Sequence, residues 1–385
     1  MTEKLYYQNS HLFTFEATVL ECREEKKGFS AVLDRTAFFP EGGGQPADTG
    51  TLGGVRVTDV HERDGAIRHY LDAPLAVGER VRGELDAEQR LRRMQNHSGE
   101  HILSGLVHNA YGYDNVGFHM GAECMTIDFS GELSWEQLME LEGRANEIVR
   151  QNIPLHIWFP DDKELQSLEY RSKLELTENV RIVEIPGVDR CACCAPHVER
   201  TGEVGLVKIL DSNRHRGGQR VSVICGMDAV EDYRARQESV TEISRALSAK
   251  RDEVTRAVQR VLSEQQSMKE RCDALSLALI RYMAQAEPET AGNILVFDGV
   301  LGEIAQRELV NLLAEKAGGF AAVFVGSDDA GWRYIIGSRR ADLRAGARAI
   351  NAAVSGRGGG TPRMIQGSAR AARAEIEGAL RALAV

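Results

Sequence analysis

The sequence predicts an α+β multidomain chain: a small N-terminal β-barrel, an α+β core, a long helical linker and a C-terminal α/β domain. Three observations predict it. Up to about residue 90, short runs alternate apolar and polar residues between glycine and aspartate turns, the period of half-buried strands. From Arg90 the apolar spacing becomes helical, and strand-like runs return after residue 180. From Asp228 to Gln285 there is neither Gly nor Pro, only charged helix formers around a sparse apolar seam.

In order, FEATVLECRE, FSAVLDRTAFF, GVRVTDVHE and RVRGELD read as strands at spacings that suit a small barrel. A helix follows from Arg90, and another in SWEQLMELEGRANEIVRQN, where Ser134 and Gln137 are placed to form a capping box. RIVEIPG, GEVGLVKILDS and QRVSVICG are strands again. Val240, Ile243, Leu247, Val254, Val261, Met268 and Leu275 fall on one helical seam, interrupted by Lys250 and Arg271. NILVFDGV, EIAQRELVNLLAEKA, GFAAVFVGS and WRYIIGS then give strand, helix, strand, strand, before a helix, a glycine loop and a final Ala/Arg helix. The expected domains are 1–90, 91–226, 227–287 and 288–385.

With 385 residues, 43% hydrophobic and 27% charged, the chain has a globular composition. No apolar run approaches the roughly 20 residues of a membrane span, and the N-terminus lacks a signal-peptide pattern. Seven cysteines without an export signal point to thiols or metal ligands in the cytoplasm. The net charge of −10 argues against nucleic acid, but from Gly331 to Arg373 nine arginines, Arg339 and Arg340 among them, face one acid, Asp342.

The chemistry concentrates in two places. NHSGEH puts His97 and His101 one helical turn apart. It also matches H-x-x-E-H, the inverted zincin protease pattern, with Glu100 as base and Glu169 or Glu175 as a further ligand. DRCACCAPH places Cys193 and His197 four residues apart, with Cys191 and Cys194 as competing donors. His97, His101, Cys193 and His197 together form a Cys/His set suited to one tetrahedral Zn²⁺ per chain. Four protein ligands ordinarily mark a structural site, because catalytic zinc keeps a position open.

LDRTAFFPEGGGQPADTG (Leu33–Gly50), the His97/His101 pair, VGFHMG (Val116–Gly121), the Cys193/His197 pair with TGEVG after it, GGQRVSVICG and SGRGGGTPRMIQG (Ser355–Gly367) occur in that order. Together they resemble the alanyl-tRNA editing proteins of the long form, free-standing relatives of the alanyl-tRNA synthetase editing domain with its glycine-rich C-terminal domain. The resemblance covers nearly the whole chain. One departure stands out: the family commonly has Cys-x-Gly-Thr-His, where this chain has Cys193-Cys194-Ala195-Pro196-His197.

The resemblance implies hydrolysis of the aminoacyl ester on mischarged Ser-tRNA(Ala) or Gly-tRNA(Ala), with Ala-tRNA(Ala) spared. Because no aminoacylation module precedes residue 1, it implies editing in trans. A charging pocket separates such close analogues by only about 1–3 kcal/mol, roughly 10–200-fold, so a second hydrolytic site is the physical remedy. Thr36 matches the position that reads the serine hydroxyl, and Gln45, Gly43 and Gly44 match the turn lining the catalytic pocket. Arg357, Gly358, Gly359, Gly360 and Arg363, with Arg339 and Arg340, would contact tRNA phosphates.

The implied partner is the acceptor stem and aminoacylated 3′ end of tRNA(Ala), with no membrane. A homodimer through the linker or C-terminal domain is compatible with the seam. Rival readings are a non-catalytic tRNA-binding or dimerisation protein with structural zinc, the inverted zincin, and a release-factor-like use of the GGQ tripeptide.

Overall fold

The computed structural model describes residues 2–172, 180–381 and 383. The chain divides into two compact units, Met1–Ser239 and Val240–Val385, and the expected segments 1–90 and 91–226 both lie in the first. The class is mixed α/β and multidomain, as expected.

The first unit begins with β1 (Glu3–Lys4), β2 (Thr14–Glu24), β3 (Phe29–Leu33), β4 (Arg35–Thr36), β5 (Gly50–Leu52), β6 (Val55–Arg63), β7 (Ala66–Leu71) and β8 (Arg80–Leu85). β2, β3, β7, β6, β5 and β8 close into a barrel, while β1 pairs with β4 outside it. Alternation supplies the interior: Phe15, Ala17 and Val19 on β2, Ile67 and Leu71 on β7, and Val81 and Leu85 on β8 are all buried. His69 occupies the inward position between Ile67 and Leu71 and is fully enclosed.

α1 (Ala87–Tyr111) starts where Asp86 accepts the Gln89 amide and stops at Gly112, whose φ of 69° closes the helix in the left-handed conformation. β9 (Asn115–Met120), β10 (Met125–Phe129), α2 (Trp135–Gln151), β11 (His156–Trp158), α3 (Asp162–Ser167), β12 (Ile182–Ile185), β13 (Asp189–Ala192), β14 (Val207–His215) and β15 (Gly218–Cys225) follow. Ser134 and Gln137 form the capping box the sequence predicts for α2. A four-stranded sheet in the order β14-β15-β10-β9 and a three-stranded sheet in the order β11-β12-β13 complete the unit. Ile102, Leu106, Leu138, Leu141, Ile127 and Val223 knit α1 and α2 to the larger sheet. Gly105 lets α1 meet the chain entering β13: a Cβ there would lie 2.5 Å from the Val188 carbonyl oxygen.

The segment expected as a long helix or helical hairpin comprises two helices, α4 (Met227–Ala246) and α5 (Val254–Ala286). The break falls where Ser248 takes a φ of 48°. The seam residues Val240, Ile243, Val261, Met268 and Leu275 are exposed.

The second unit continues with β16 (Ile294–Asp298), α6 (Glu303–Lys316), β17 (Ala321–Ser327), β18 (Gly331–Gly337), α7 (Leu343–Ala353), β19 (Arg357–Gly360), β20 (Met364–Ala369) and α8 (Arg373–Arg381). Its sheet runs β16-β17-β18-β20-β19. Alternation along β17 serves both faces. Ala321 and Val323 pack with Ile280 of α5 and Leu309 of α6, whereas Ala322 and Phe324 pack with Ile350 of α7 and Ile376 of α8.

Candidate metal centre

α1 carries His97 and His101 on its inward face, 3% and 2% exposed, and the turn after β13 supplies Cys193 and a fully buried His197. The donor atoms of these four residues all lie within 4.8 Å of one another. The Cys193 Sγ is 3.5 Å from His97 Nε2 and 3.3 Å from His197 Nε2. Tetrahedral zinc, with bonds of about 2.0–2.3 Å, needs donors at roughly that spacing.

The far side of each imidazole decides which nitrogen faces inward. His97 Nδ1 meets Gln45 Oε1 at 2.9 Å, His101 Nδ1 meets Asp189 Oδ2 at 3.0 Å, and His197 Nδ1 meets Ser98 Oγ at 3.1 Å. With Nδ1–H donated outward, each ring keeps its Nε2 lone pair for the common centre, the arrangement expected of braced metal ligands. The residues fit a zinc ion.

Burial pushes His197 down to about 3, which keeps that ring neutral. Burial also acts to raise the Cys193 thiol, but the imidazoles gathered around it, His97 first, hold it well below the ordinary thiol range. A sulfur that loses its proton easily is a good ligand.

A second donor group, His101, Asp189 and Cys191, adjoins the first. Arg171 grips both Asp189 carboxylate oxygens at 2.7 and 2.8 Å, and burial pushes the Cys191 thiol up to about 11. A guanidinium at the carboxylate and a protonated thiol oppose a second cation, so Asp189 acts as a brace for His101. Cys194 is exposed and lies against the glycine turn, its Sγ 3.6 Å from where a Gly43 Cβ would be.

The turn carrying Ala195 and Pro196 in place of the usual Gly-Thr is held from below. Arg181 Nη1 donates to the carbonyls of Cys193 and Ala195 at 2.9 and 2.8 Å.

Of the residues the sequence singled out, Gln45 joins the metal set directly. Its side chain is fully buried, and its Nε2 is without a hydrogen-bond partner. Gly44, at φ +82°, packs so tightly that a Cβ would lie 2.5 Å from the Phe118 carbonyl oxygen, and its own carbonyl accepts the Met120 amide at 2.9 Å. The VGFHMG segment thus adjoins the turn, with the Phe118 ring 4.9 Å from that of His97.

Thr36 is held elsewhere, at the barrel wall. Its Oγ1 lies 2.8 Å from His69 Nε2 and accepts the Phe38 amide at 3.1 Å. His69 Nδ1 faces the Ala31 carbonyl, and burial lowers that ring to about 4.

Glu100 is engaged on Oε1 by Ser104 and Asn115, with Oε2 3.8 Å from His101 Nε2. Glu169 lines a cavity of about 820 Å³ beside Asp189 rather than joining the four donors, and Glu175 lies outside the described residues. The inverted zincin arrangement therefore lacks its glutamate ligand among the described residues.

In the second unit, Arg357–Gly360 is an exposed strand paired with β20 rather than the expected glycine loop. Gly358 is required there because a Cβ would meet the Tyr334 hydroxyl at 2.2 Å. Arg363 and Arg340 are exposed, while Arg339 pairs with Glu315 at 2.7 Å. Asp342 is spent as the cap of α7.

Two family models match parts of the chain. Residues 180–222 match the threonyl and alanyl tRNA synthetase second additional domain, and residues 2–89 match the class II (A) tRNA synthetases. An alanyl-tRNA editing protein, AlaX-L, of Pyrococcus horikoshii is 35% identical over 240 residues, covering 60% of this chain and 59% of that protein. Over that stretch the chain is similar to the long-form alanyl-tRNA editing proteins.

An alanine–tRNA ligase of Halobacterium salinarum is 34% identical over 360 residues, which is 87% of this chain but only 38% of the ligase. The chain therefore spans well under two thirds of the curated relatives it matches. The C-Ala domain of Aquifex aeolicus alanyl-tRNA synthetase aligns with 24% of this chain and 90% of its own at 18% identity, with a TM-score of 0.21, which fixes no fold.

Asp189, Ser98 and Arg181 escaped the reading of the sequence. Asp189 opens the stretch that contains the second ligand pair, and Ser98 adjoins His97. Proximity in the chain was the only signal for either, and Arg181 left none.

Proposed function

We propose that this editing-like protein hydrolyses the aminoacyl ester of mischarged tRNA(Ala), removing serine or glycine and sparing alanine, in the cytoplasm. The observation that carries the reading is the junction of two family motifs. The glycine turn ending in Gln45 is hydrogen-bonded to His97 of the Cys/His₃ set.

His97, His101, Cys193 and His197 would hold Zn²⁺, which when bound supplies Lewis-acid polarisation and an anchor for the substrate amine. Gln45 gives its carbonyl to His97 and so keeps its amide N–H groups for an acceptor, the polarity a developing oxyanion requires. His69, neutral and donating through Nδ1, accepts a hydrogen bond from the Thr36 hydroxyl at Nε2. The Thr36 oxygen is thereby left as an acceptor, suited to a seryl hydroxyl. Alanine has no such donor and gains no hydrogen bond from that oxygen's remaining lone pair.

The exposed Arg357 and Arg363, with Arg340, are proposed to contact tRNA phosphates, and the exposed α5 seam to serve a homodimer.

A second reading is favoured by the closed donor set itself: a tRNA-binding module with structural zinc. Deacylation of Ser-, Gly- and Ala-tRNA(Ala) by the protein and by Cys193→Ala, with zinc content and folding measured on both, separates them. Editing predicts rapid loss of serine or glycine, alanine spared, and activity abolished in a folded, zinc-depleted variant. Bound tRNA with no deacylation would leave the module.

A further inference from the structure

We propose that Arg90 is a positioning residue. Its buried guanidinium fastens both feet of the 37–48 loop to α1 and so holds Gln45 against His97. Arg90 precedes His97 by seven residues, two turns earlier on the same helical face.

Its side chain is 0% exposed and that of Asp48, opposite, 2%. At the first foot, Nη2 donates to the Ala37 carbonyl at 2.6 Å. At the second, Nε donates to the two Asp48 oxygens at 3.1 and 3.0 Å, and Nη2 also bonds Oδ2. Nη1 reaches the Ser10 carbonyl at 2.9 Å.

The base of the loop is closed on itself. The Phe39 amide donates to Asp48 Oδ2 at 2.7 Å, and the Asp48 amide to the Phe39 carbonyl at 3.0 Å. Arg93 adds a bond to the Ala47 carbonyl at 2.6 Å and lies 3.7 Å from Asp48. Between these feet runs the Gly42–Gln45 turn, with positive φ at Gly43 and Gly44, and its last residue makes the 2.9 Å bond to His97.

A buried ion pair is a weak stabiliser compared with apolar packing. What the forked guanidinium adds is geometry: one planar group grips a carbonyl at one foot and a carboxylate at the other. A lysine carries the charge but cannot span both. The catalytic consequence rests on the editing reading of the Gln45 turn; the mechanical one does not.

Arg90→Lys in the full chain tests both. Amide hydrogen exchange at Gly42–Gln45 should quicken by roughly tenfold while the barrel strands and α1 keep their rates. Zinc affinity, read by chelator competition, should weaken by about tenfold through the loosened Gln45 brace. Single-turnover deacylation of Ser-tRNA(Ala) should fall by about 10–100-fold with KM for tRNA unchanged.

In a Gln45→Ala background the same substitution should add no further loss, because it acts through Gln45. Equal losses in both backgrounds, or exchange quickening equally throughout the barrel, overturns the proposal. Should Arg90→Lys fail to fold, the neutral pair Arg90→Gln with Asp48→Asn takes its place with the same readouts. If the unaltered protein deacylates none of the three esters, the editing reading fails, and exchange and zinc affinity still decide the clamp.

Discussion

The first unit holds two kinds of buried imidazole. His97, His101 and His197 turn Nδ1 to a brace and Nε2 to a shared thiolate. His69, inside the barrel, also turns Nδ1 to an acceptor, the Ala31 carbonyl, yet its Nε2 meets a single hydroxyl on Thr36. Enclosure is nearly complete in both places. What separates a metal ligand from a tautomer-setting partner is therefore what Nε2 faces: three rings converging on a sulfur make a site for a cation, while one ring on one hydroxyl fixes a proton.

The sharpest way to expose that difference is acid. His69 is held at about 4, against an ordinary value of 6.5. Above pH 6.5 both the folded and unfolded chains keep this ring neutral, and it contributes nothing to pH dependence. Between 6.5 and 4 only the unfolded chain takes the proton, so stability falls with pH by up to about 3 kcal/mol from this residue. Denaturant unfolding at pH 7 and at pH 4.5 should show a shallower acid loss in His69→Gln than in the parent. An unchanged acid loss would mean His69 is not held neutral by its burial.

Next in size is the contrast among the braces themselves. Asp189 is a buried carboxylate shared between His101 and Arg171, whereas Ser98 is a neutral hydroxyl. Asp189→Asn should lower zinc affinity by about 10–100-fold, since it removes charge behind a ligand and leaves Arg171 without its partner. Ser98→Ala removes one neutral acceptor, worth about 1 kcal/mol, and should cost only a few-fold. Chelator competition at constant pH measures both. Equal losses would show that the charge of the brace is immaterial.

The candidate donor set was legible in the sequence, and of the groups that brace it only Gln45 was. His97 with His101, and Cys193 with His197, are local patterns, because helical and turn geometry make a spacing of four meaningful without tertiary structure. The choice of Cys193 over Cys191 and Cys194 needed the course of β13, which carries Cys191 toward Asp189 and leaves Cys194 at the glycine turn. Asp189 reaches His101 only because Gly105 lets α1 approach that closely. Arg90 and Asp48 are 42 residues apart, and nothing in the spacing of charged residues marks such a pair. In the second unit, alternation marked β16, β17 and β18 but not β19 or β20. The Arg357–Gly360 stretch was read as a loop because its glycines signal turns, whereas here they admit a neighbouring strand and the Tyr334 hydroxyl.

That arginine-bearing surface is the opposite of the metal centre. Sequence counting sets nine arginines from 331 to 373 against one acid, but folding brings Glu315 to Arg339 and Glu377 to Arg373. Arg357 and Arg363 stay exposed at the two ends of the β19–β20 hairpin. Exposed cations act through counterion release rather than through braced geometry. Arg357→Ala and Arg363→Ala should each flatten the slope of log K against log salt by about one and weaken charged and uncharged tRNA alike. Zinc content should not move in either variant. A change in zinc content without a change in salt slope would transfer these residues from the RNA surface to the fold.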